Sequence, residues 1–380
     1  MTRAASFSLL GVGIRIDASW ILLALLIAWS LASGVFPGLY AGLPPSSYWA
    51  MAAATVVGVA ASIILHELGH TLVARAFGLP IKSITLFVFG GVAEMEGEPK
   101  APMAELLMAL AGPLVSVALG FGFAALANIL PANAPTEFHA VAHYLSMLNY
   151  TLAVFNMLPA FPLDGGRVLR AIVWLATRDP LKATRIAARS GEVIAILLMA
   201  AGVVSALGGG IGHGLWWVIL GWFILSIASA HRREAEAKQL LSGARVRDLM
   251  TPDPVTAPAD MSVAHFVETV LARHPHDLVP IMSDDGAIIG GAGFGEAKAA
   301  PRESWASTPL SSIATPIAQI PTADQRLEIE AALERMQRAG ASRLIVTDGG
   351  RLAGILTLKD LANHLRFRSE FAAPAKRQSA

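Results

Sequence analysis

From Ala18 to His66 the chain carries no Lys, Arg, Asp or Glu. A run that long without charge belongs in lipid, where backbone polar groups must be satisfied within the segment, so it folds as helix. The run ends in Ile64-Leu65-His66-Glu67-Leu68-Gly69-His70, a His-Glu-x-x-His motif. On a helix, His66 and His70 project from one face one turn apart, so two imidazole nitrogens can share one metal ion. Glu67 follows the first ligand and can reach a water on that metal. The bland alternative is a chance match whose histidines are satisfied in a core or by solvent. Two histidines and a carboxylate at the end of an apolar run are costly in lipid, which favours function.

The 380 residues are 54% hydrophobic and 15% charged, with mean hydropathy +0.55. Soluble domains carry about 25% charged residues, so part of this chain is embedded in a membrane. Net charge is +1 and no basic stretch is interleaved with aromatics, which argues against nucleic acid as a partner. Cysteine is absent, so disulfides and thiolate ligands are excluded and a transition-metal site must use imidazole and carboxylate. Residues 1–17 carry Arg3 and Arg15 ahead of the first apolar run, and no convincing cleavage site follows. This predicts a retained span.

Six apolar segments suit spanning: residues 18–35, 49–77, 104–130, 139–158, 192–207 and 215–230. Each approaches or exceeds the ~17–25 residues a bilayer needs, the fifth marginally. Connections 36–48, 131–138 and 208–214 contain no Lys or Arg, whereas the opposite side holds Arg3, Arg15, Arg75, Lys82, Arg167 and Arg232 among others. The positive-inside rule makes both ends cytoplasmic, in a plasma or inner membrane. Arg75 lies nine positions after His66. At ~1.5 Å per residue, His66 then sits roughly 13 Å below the cytoplasmic face, and water must reach it through a cavity.

Residues 82–95 are β-branched and aromatic around Gly90-Gly91 and read as a hairpin or re-entrant strand pair. An ordinary surface loop is the alternative. Gly112-Pro113 interrupts the third span, read as close packing or a kink. The fourth span ends in Asn156-Met157-Leu158-Pro159-Ala160-Phe161-Pro162-Leu163-Asp164-Gly165-Gly166. Pro159 and Pro162 forbid a continued helix, and Gly165-Gly166 permits a tight turn. A catalytic zinc takes three protein ligands and keeps one position for water. His66, His70 and Asp164 would complete that set. Other third-ligand candidates are Glu94 and Glu96, in a charged cytoplasmic segment, and His139 and His143, at the opposite membrane face. Asp164 can also be read as a turn-forming Asp before Gly.

The two motifs together, His66-Glu67-x-x-His70 and Asn156-x-x-Pro159-x-x-Pro162-Leu163-Asp164-Gly165-Gly166, resemble the site-2 protease family of intramembrane zinc metalloproteases. The resemblance covers residues 1–235. It implies an α-helical polytopic membrane domain of about six transmembrane helices with a re-entrant β-hairpin. It also implies one Zn2+ held by His66, His70 and Asp164, with Glu67 as general base. Asn156 matches a family Asn that holds substrate or the oxyanion, and Gly90-Gly91 resembles the family's re-entrant segment. Ser116 stands where members often have Asn, and no role is assigned to it.

After Arg232-Arg233-Glu234 the composition becomes ordinary globular, and an internal repeat with an offset of 64 residues appears. Thr251-Pro252 matches Thr315-Pro316, Asp260 matches Asp324, Ile281 matches Ile345, Gly286 matches Gly350 and Gly290 matches Gly354. Residues 245–300 and 309–366 resemble two α/β cystathionine-β-synthase (CBS) domains, which pair and often bind adenine nucleotides. In the second copy Thr357 and Asp360 fall in the stretch resembling the family's ribose-contacting segment. The first copy is degenerate, with Gly293 and Glu296 there and a glycine-weakened strand at 290–293. A purely structural pair is the alternative. Residues 367–380 read as a disordered tail.

The function these resemblances imply is hydrolysis of a peptide bond in or near a transmembrane helix of a membrane-protein substrate. The CBS pair would regulate it and mediate a homodimer. The rival is a CBS-gated transporter or channel using the His/Asp cluster as an ion site. Such transporters carry repeats and charges in several helices, and the membrane half shows one cluster and no repeat.

Overall fold

The computed structural model describes all residues except 1–2, 89, 96, 98, 132, 274–277 and 372–380. The chain divides into two compact units, Met1–Ala235 and Glu236–Ala380.

The first unit begins with β1 (Arg3–Leu9) and β2 (Val12–Asp17), an antiparallel hairpin turning at Leu10-Gly11. Both turn residues have positive φ, +50° and +71°, as a two-residue hairpin turn of this hand demands. The Arg75 guanidinium donates to the carbonyls of Leu10 and Gly11 and ties the turn to the end of a long helix. Helix α1 (Ala18–Leu39) starts where Asp17 caps it, accepting from the backbone and hydroxyl of Ser19. Helix α2 (Pro45–Ala76) carries the histidine motif in its last three turns. Strands β3 (Ile81–Phe87) and β4 (Gly90–Met95) follow, then α3 (Pro102–Ile129), α4 (Thr136–Asn156), α5 (Asp164–Thr177), α6 (Pro180–Leu207) and α7 (Ile211–Leu241).

The four strands form one sheet in the order β1-β2-β3-β4, with β2 and β3 parallel. The expected hairpin is therefore half of a larger sheet, completed by the N-terminal residues that the sequence reading left without structure. Gly90 pairs with Phe87, so the return strand begins at Gly90 and the glycines lie beyond the turn. Val12, Ile14, Ile81 and Ile84 bury one face of the sheet against Leu68, Ala74 and Met108 of α2 and α3.

Among the described residues, five helices are long and apolar enough to cross a membrane: α1, α2, α3, α6 and α7. The remaining expected span is α4, 21 residues long, whose Glu137, His139, His143, Asn149 and Asn156 keep it below that mark. The fifth span looked marginal because Lys182, Arg185 and Arg189 occupy its first turns, yet the helix runs 28 residues. Glycines set the helix spacing. A Cβ on Gly69 would meet Val115 Cγ2 at 2.9 Å and the Ala111 carbonyl at 3.0 Å, so α2 and α3 touch backbone to backbone within the histidine motif.

In the second unit each repeat completes the other. Strand β5 (Thr251–Pro252) opens the first repeat but pairs with β12 (Arg351–Thr357) of the second. Likewise β9 (Thr315–Pro316) pairs with β8 (Ile288–Ala292). The sheets run β10-β11-β12-β5 and β6-β7-β8-β9, where β6 is Ala257–Pro258, β7 Val279–Met282, β10 Thr322–Asp324 and β11 Arg343–Asp348. Stretches 245–300 and 309–366 are thus not self-contained folds. The exchange explains the paired glycines: a Cβ on Gly290 would meet the Thr315 carbonyl at 2.3 Å, and one on Gly354 the Thr251 carbonyl at 2.7 Å. The glycines at 290–293 were expected to weaken the strand, but β8 forms, because Gly290 is what lets the exchanged strand approach. Helix α8 (Leu358–Phe371) continues past 367, where the tail was expected to begin; residues 372–380 lie outside the described residues.

Candidate metal centre

Helix α2 presents His66 and His70 one turn apart, and α5 presents Asp164 as its first residue. His66 Nε2 lies 3.1 Å from Asp164 Oδ2, His70 Nε2 lies 3.3 Å from Asp164 Oδ1, and the two Nε2 atoms are 3.2 Å apart. Each ring's other nitrogen is engaged elsewhere. His70 Nδ1 is 2.7 Å from the Met108 carbonyl and His66 Nδ1 is 2.8 Å from Ser116 Oγ. A carbonyl oxygen only accepts, so His70 carries a proton on Nδ1, and it is the neutral form of the ring that would turn an Nε2 lone pair toward His66 and Asp164. Two imidazole nitrogens and a carboxylate drawn this close form a donor set that one cation could share.

The residues fit zinc. Bonds of ~2.0–2.1 Å in a tetrahedron put ligand atoms about 3.3 Å apart, and the two Nε2 atoms stand at 3.2 Å. Ligand atoms of His66, His70 and Asp164 all lie within 4.8 Å of one another. A Cβ on Gly112 would stand 2.2 Å from His70 Nε2 and 2.6 Å from His66 Nε2, so α3 leaves a space there that one carbon would fill.

The turn before α5 explains how Asp164 arrives. Pro159 and Pro162 stop α4 from continuing, and residues 157–161 fold back over the start of α5. A Cβ on Gly165 would stand 2.3 Å from the Met157 carbonyl, and one on Gly166 2.5 Å from the Phe161 nitrogen, so both positions require glycine. Helices α6 and α7 hold the turn. Ser190 Oγ donates to the Pro159 carbonyl at 2.5 Å, and the Phe161 ring stacks on His231 with centroids 4.9 Å apart.

Glu67 lies beside the cluster under β4. A Cβ on Gly91 would meet Glu67 Cγ at 2.8 Å and Oε1 at 3.2 Å, so the strand backbone runs against this carboxylate. Gly90 has open space around its Cα. Asn156 closes α4, half-buried, and no hydrogen bond joins it to His66, Glu67, His70 or Asp164. Of the other third-ligand candidates, Glu94 pairs through its backbone with Ser83, Glu96 lies outside the described residues, and His139 sits against the carbonyls of Ala127 and Pro131. His143 lines a groove along α4 with Met147, Tyr150 and Thr151.

Sequence reasoning missed the contribution of α3. Met108, Gly112 and Ser116 recur every four residues and so share one face, the face that backs both imidazoles. Gly112-Pro113 was visible but read as packing; the small residue and the hydroxyl one turn later were the available signal.

In the second unit Thr357 and Asp360 hold each other. Asp360 Oδ2 accepts from the Thr357 hydroxyl at 2.6 Å and from its backbone at 2.9 Å, which caps α8. Thr251 Oγ1 reaches Asp360 Oδ1 at 3.4 Å. The first copy repeats the arrangement: Glu296 accepts from the Gly293 backbone at 2.9 Å and from the Thr315 hydroxyl at 3.1 Å. What it lacks is the hydroxyl at 293.

Residues 54–132 and 131–200 match the model of peptidase family M50, and residues 246–291 and 310–366 match the CBS domain. Over 354 residues the chain is 37% identical to Rip3 of Mycobacterium tuberculosis, covering 92% of this chain and 90% of that protein. It is 30% identical over 356 residues to a zinc metalloprotease of Methanocaldococcus jannaschii, covering 93% and 94%. The solved site-2 protease of Methanocaldococcus jannaschii is 31% identical and covers 61% of this chain and 95% of its own, with a TM-score of 0.44. A membrane unit with two histidines and an aspartate drawn together, relatives aligned over nine-tenths of the chain and both family models in register place this chain in peptidase family M50, with a CBS pair at its C-terminal end.

Proposed function

We propose that the chain is a zinc-dependent intramembrane endopeptidase that cuts a peptide bond in or near a transmembrane helix of a membrane-protein substrate. The observation that carries this is the convergence of His66, His70 and Asp164, with Glu67 beside them. Zinc held by these three residues would supply Lewis acidity toward the scissile carbonyl and the attacking water. Glu67 takes the water's proton and passes it to the leaving amine. The Met108 carbonyl and Ser116 fix the rotation of the two rings, so both Nε2 atoms are already aimed.

A helical substrate hides its peptide bonds and must unwind to an extended strand to be cut. Strand β4 ends the sheet order, and its outer edge can accept such a strand by β-addition. Gly91 supports this, because it brings that strand's backbone against Glu67. Asn156 is assigned to substrate or the oxyanion on resemblance alone. The CBS pair modulates the activity and binds an adenine nucleotide through Thr357 and Asp360, it mediates a homodimer, and both chain ends are cytoplasmic. These assignments rest on the CBS match and the charge pattern. The ion-channel reading loses support because His66, His70 and Asp164 are the only such cluster among the described residues.

The test is co-expression with a single-span substrate. Glu67→Gln keeps zinc and loses the cleavage fragment; a variant that cleaves like the parent overturns the mechanism.

A further inference from the structure

Glu105, on α3, is only 3% exposed, and a buried carboxylate is costly unless paired. Its Oε1 accepts from Arg170 Nη1 at 2.8 Å, and Arg170 Nε donates to Thr184 Oγ1 at 2.8 Å. The guanidinium also lies over the Trp174 ring, 5.7 Å from its centroid. One planar, rigid fork therefore joins three helices: α3 through Glu105, its own α5, and α6 through Thr184.

Two of those helices build the metal centre. Glu105 precedes Met108 by three positions and Gly112 by seven, so it shares the face of α3 that backs the imidazoles. Arg170 lies six residues after Asp164, about 9 Å along α5. Asp164 reaches the histidines only as far as α5 keeps its place and rotation against α3. A slide of ~1 Å would undo the carboxylate contacts, and a metal geometry tolerates errors of about 0.2 Å.

We propose that the Glu105–Arg170 pair, braced by Thr184, positions Asp164 against His66 and His70 and thereby sets the zinc affinity of the site. The inference rests on the zinc reading above. Neither residue touches the ligands; both act through the helices that carry them. A lysine at 170 would keep the charge but lose the fork that reaches two partners at once.

The test is zinc affinity of the full-length protein in detergent, measured by competition with a chromophoric chelator, with the visible spectrum of the cobalt-loaded form as second readout. Glu105→Gln and Arg170→Lys should each weaken zinc about tenfold, as lost supporting contacts of metal ligands do. The double variant should be no worse than the weaker single one, because both break the same link. Thr184→Val, which keeps both charges and the side-chain shape, should weaken zinc by a smaller factor and shift the cobalt bands; it keeps the test alive if a charge variant fails to fold. Met51→Ala, in a buried cluster shared by α1, α2 and α4, is the control for general destabilisation and should leave the affinity unchanged. If the parent binds zinc and all three variants bind within twofold of it, or if Met51→Ala weakens it equally, the positioning role is wrong and the metal site stands. If the parent binds no zinc, the metal reading itself fails.

Discussion

In the membrane unit, three side chains from two distant stretches converge on one point, within a unit whose long helices are mostly apolar. In the CBS pair, Thr357 and Asp360 also meet, but in a unit where polar residues are common and where the same contacts cap a helix. The two regions differ in what a polar residue costs. In lipid a histidine or aspartate must be justified by a partner, so its presence points to chemistry. In the α/β CBS unit a threonine and an aspartate at a helix start are explained by capping alone. The repeat shows the same point internally: Glu296 caps the first copy with no threonine at 293 to accompany it.

The largest effect that would sharpen this contrast is Gly112→Ala. The added carbon would stand 2.2 Å from His70 Nε2, so zinc content by metal analysis and cleavage should both fall to background. Asp164→Ala should come next, with zinc lost on dialysis that the parent survives; unchanged zinc content would remove Asp164 from the ligand set. Ser116→Ala removes the partner of His66 Nδ1, and the expected loss is about 10–100-fold in zinc affinity by chelator competition.

The CBS unit should respond differently. Gly354→Ala forces a Cβ against the Thr251 carbonyl and should cost about 1–3 kcal/mol of that unit's stability, read as an earlier denaturant midpoint with zinc affinity unchanged. Asp360→Ala should show the smallest effect, about 1 kcal/mol for a lost cap, together with weaker adenine-nucleotide binding by calorimetry. A stability loss with unchanged nucleotide binding would leave Asp360 as a cap only.

The same contrast governs how much the sequence revealed. The charge-free run, the histidine spacing and the Pro159–Asp164 break are written in residue types, and the repeat in identities. Four features escaped because they depend on what lies across a contact. The N-terminal strands pair with a hairpin some seventy residues away. Ser116 and Met108 matter only because α3 crosses behind α2. The exchange of β5 and β9 between the repeats leaves the repeat pattern itself unchanged. Gly69, an unassigned position of the histidine motif, is set by the backbone of α3. Local pattern predicts elements; it does not say which neighbour a small residue makes room for.

The most direct measurement is zinc K-edge X-ray absorption of the metal-loaded full-length protein, taken for the parent and for Asp164→Ala. A site built from His66, His70 and Asp164 gives two imidazole shells and light-atom ligands at about 2.0–2.1 Å in the parent. The variant should retain the imidazoles and lose the carboxylate. A parent spectrum without imidazole scattering, or identical spectra from the two proteins, would contradict the assignment.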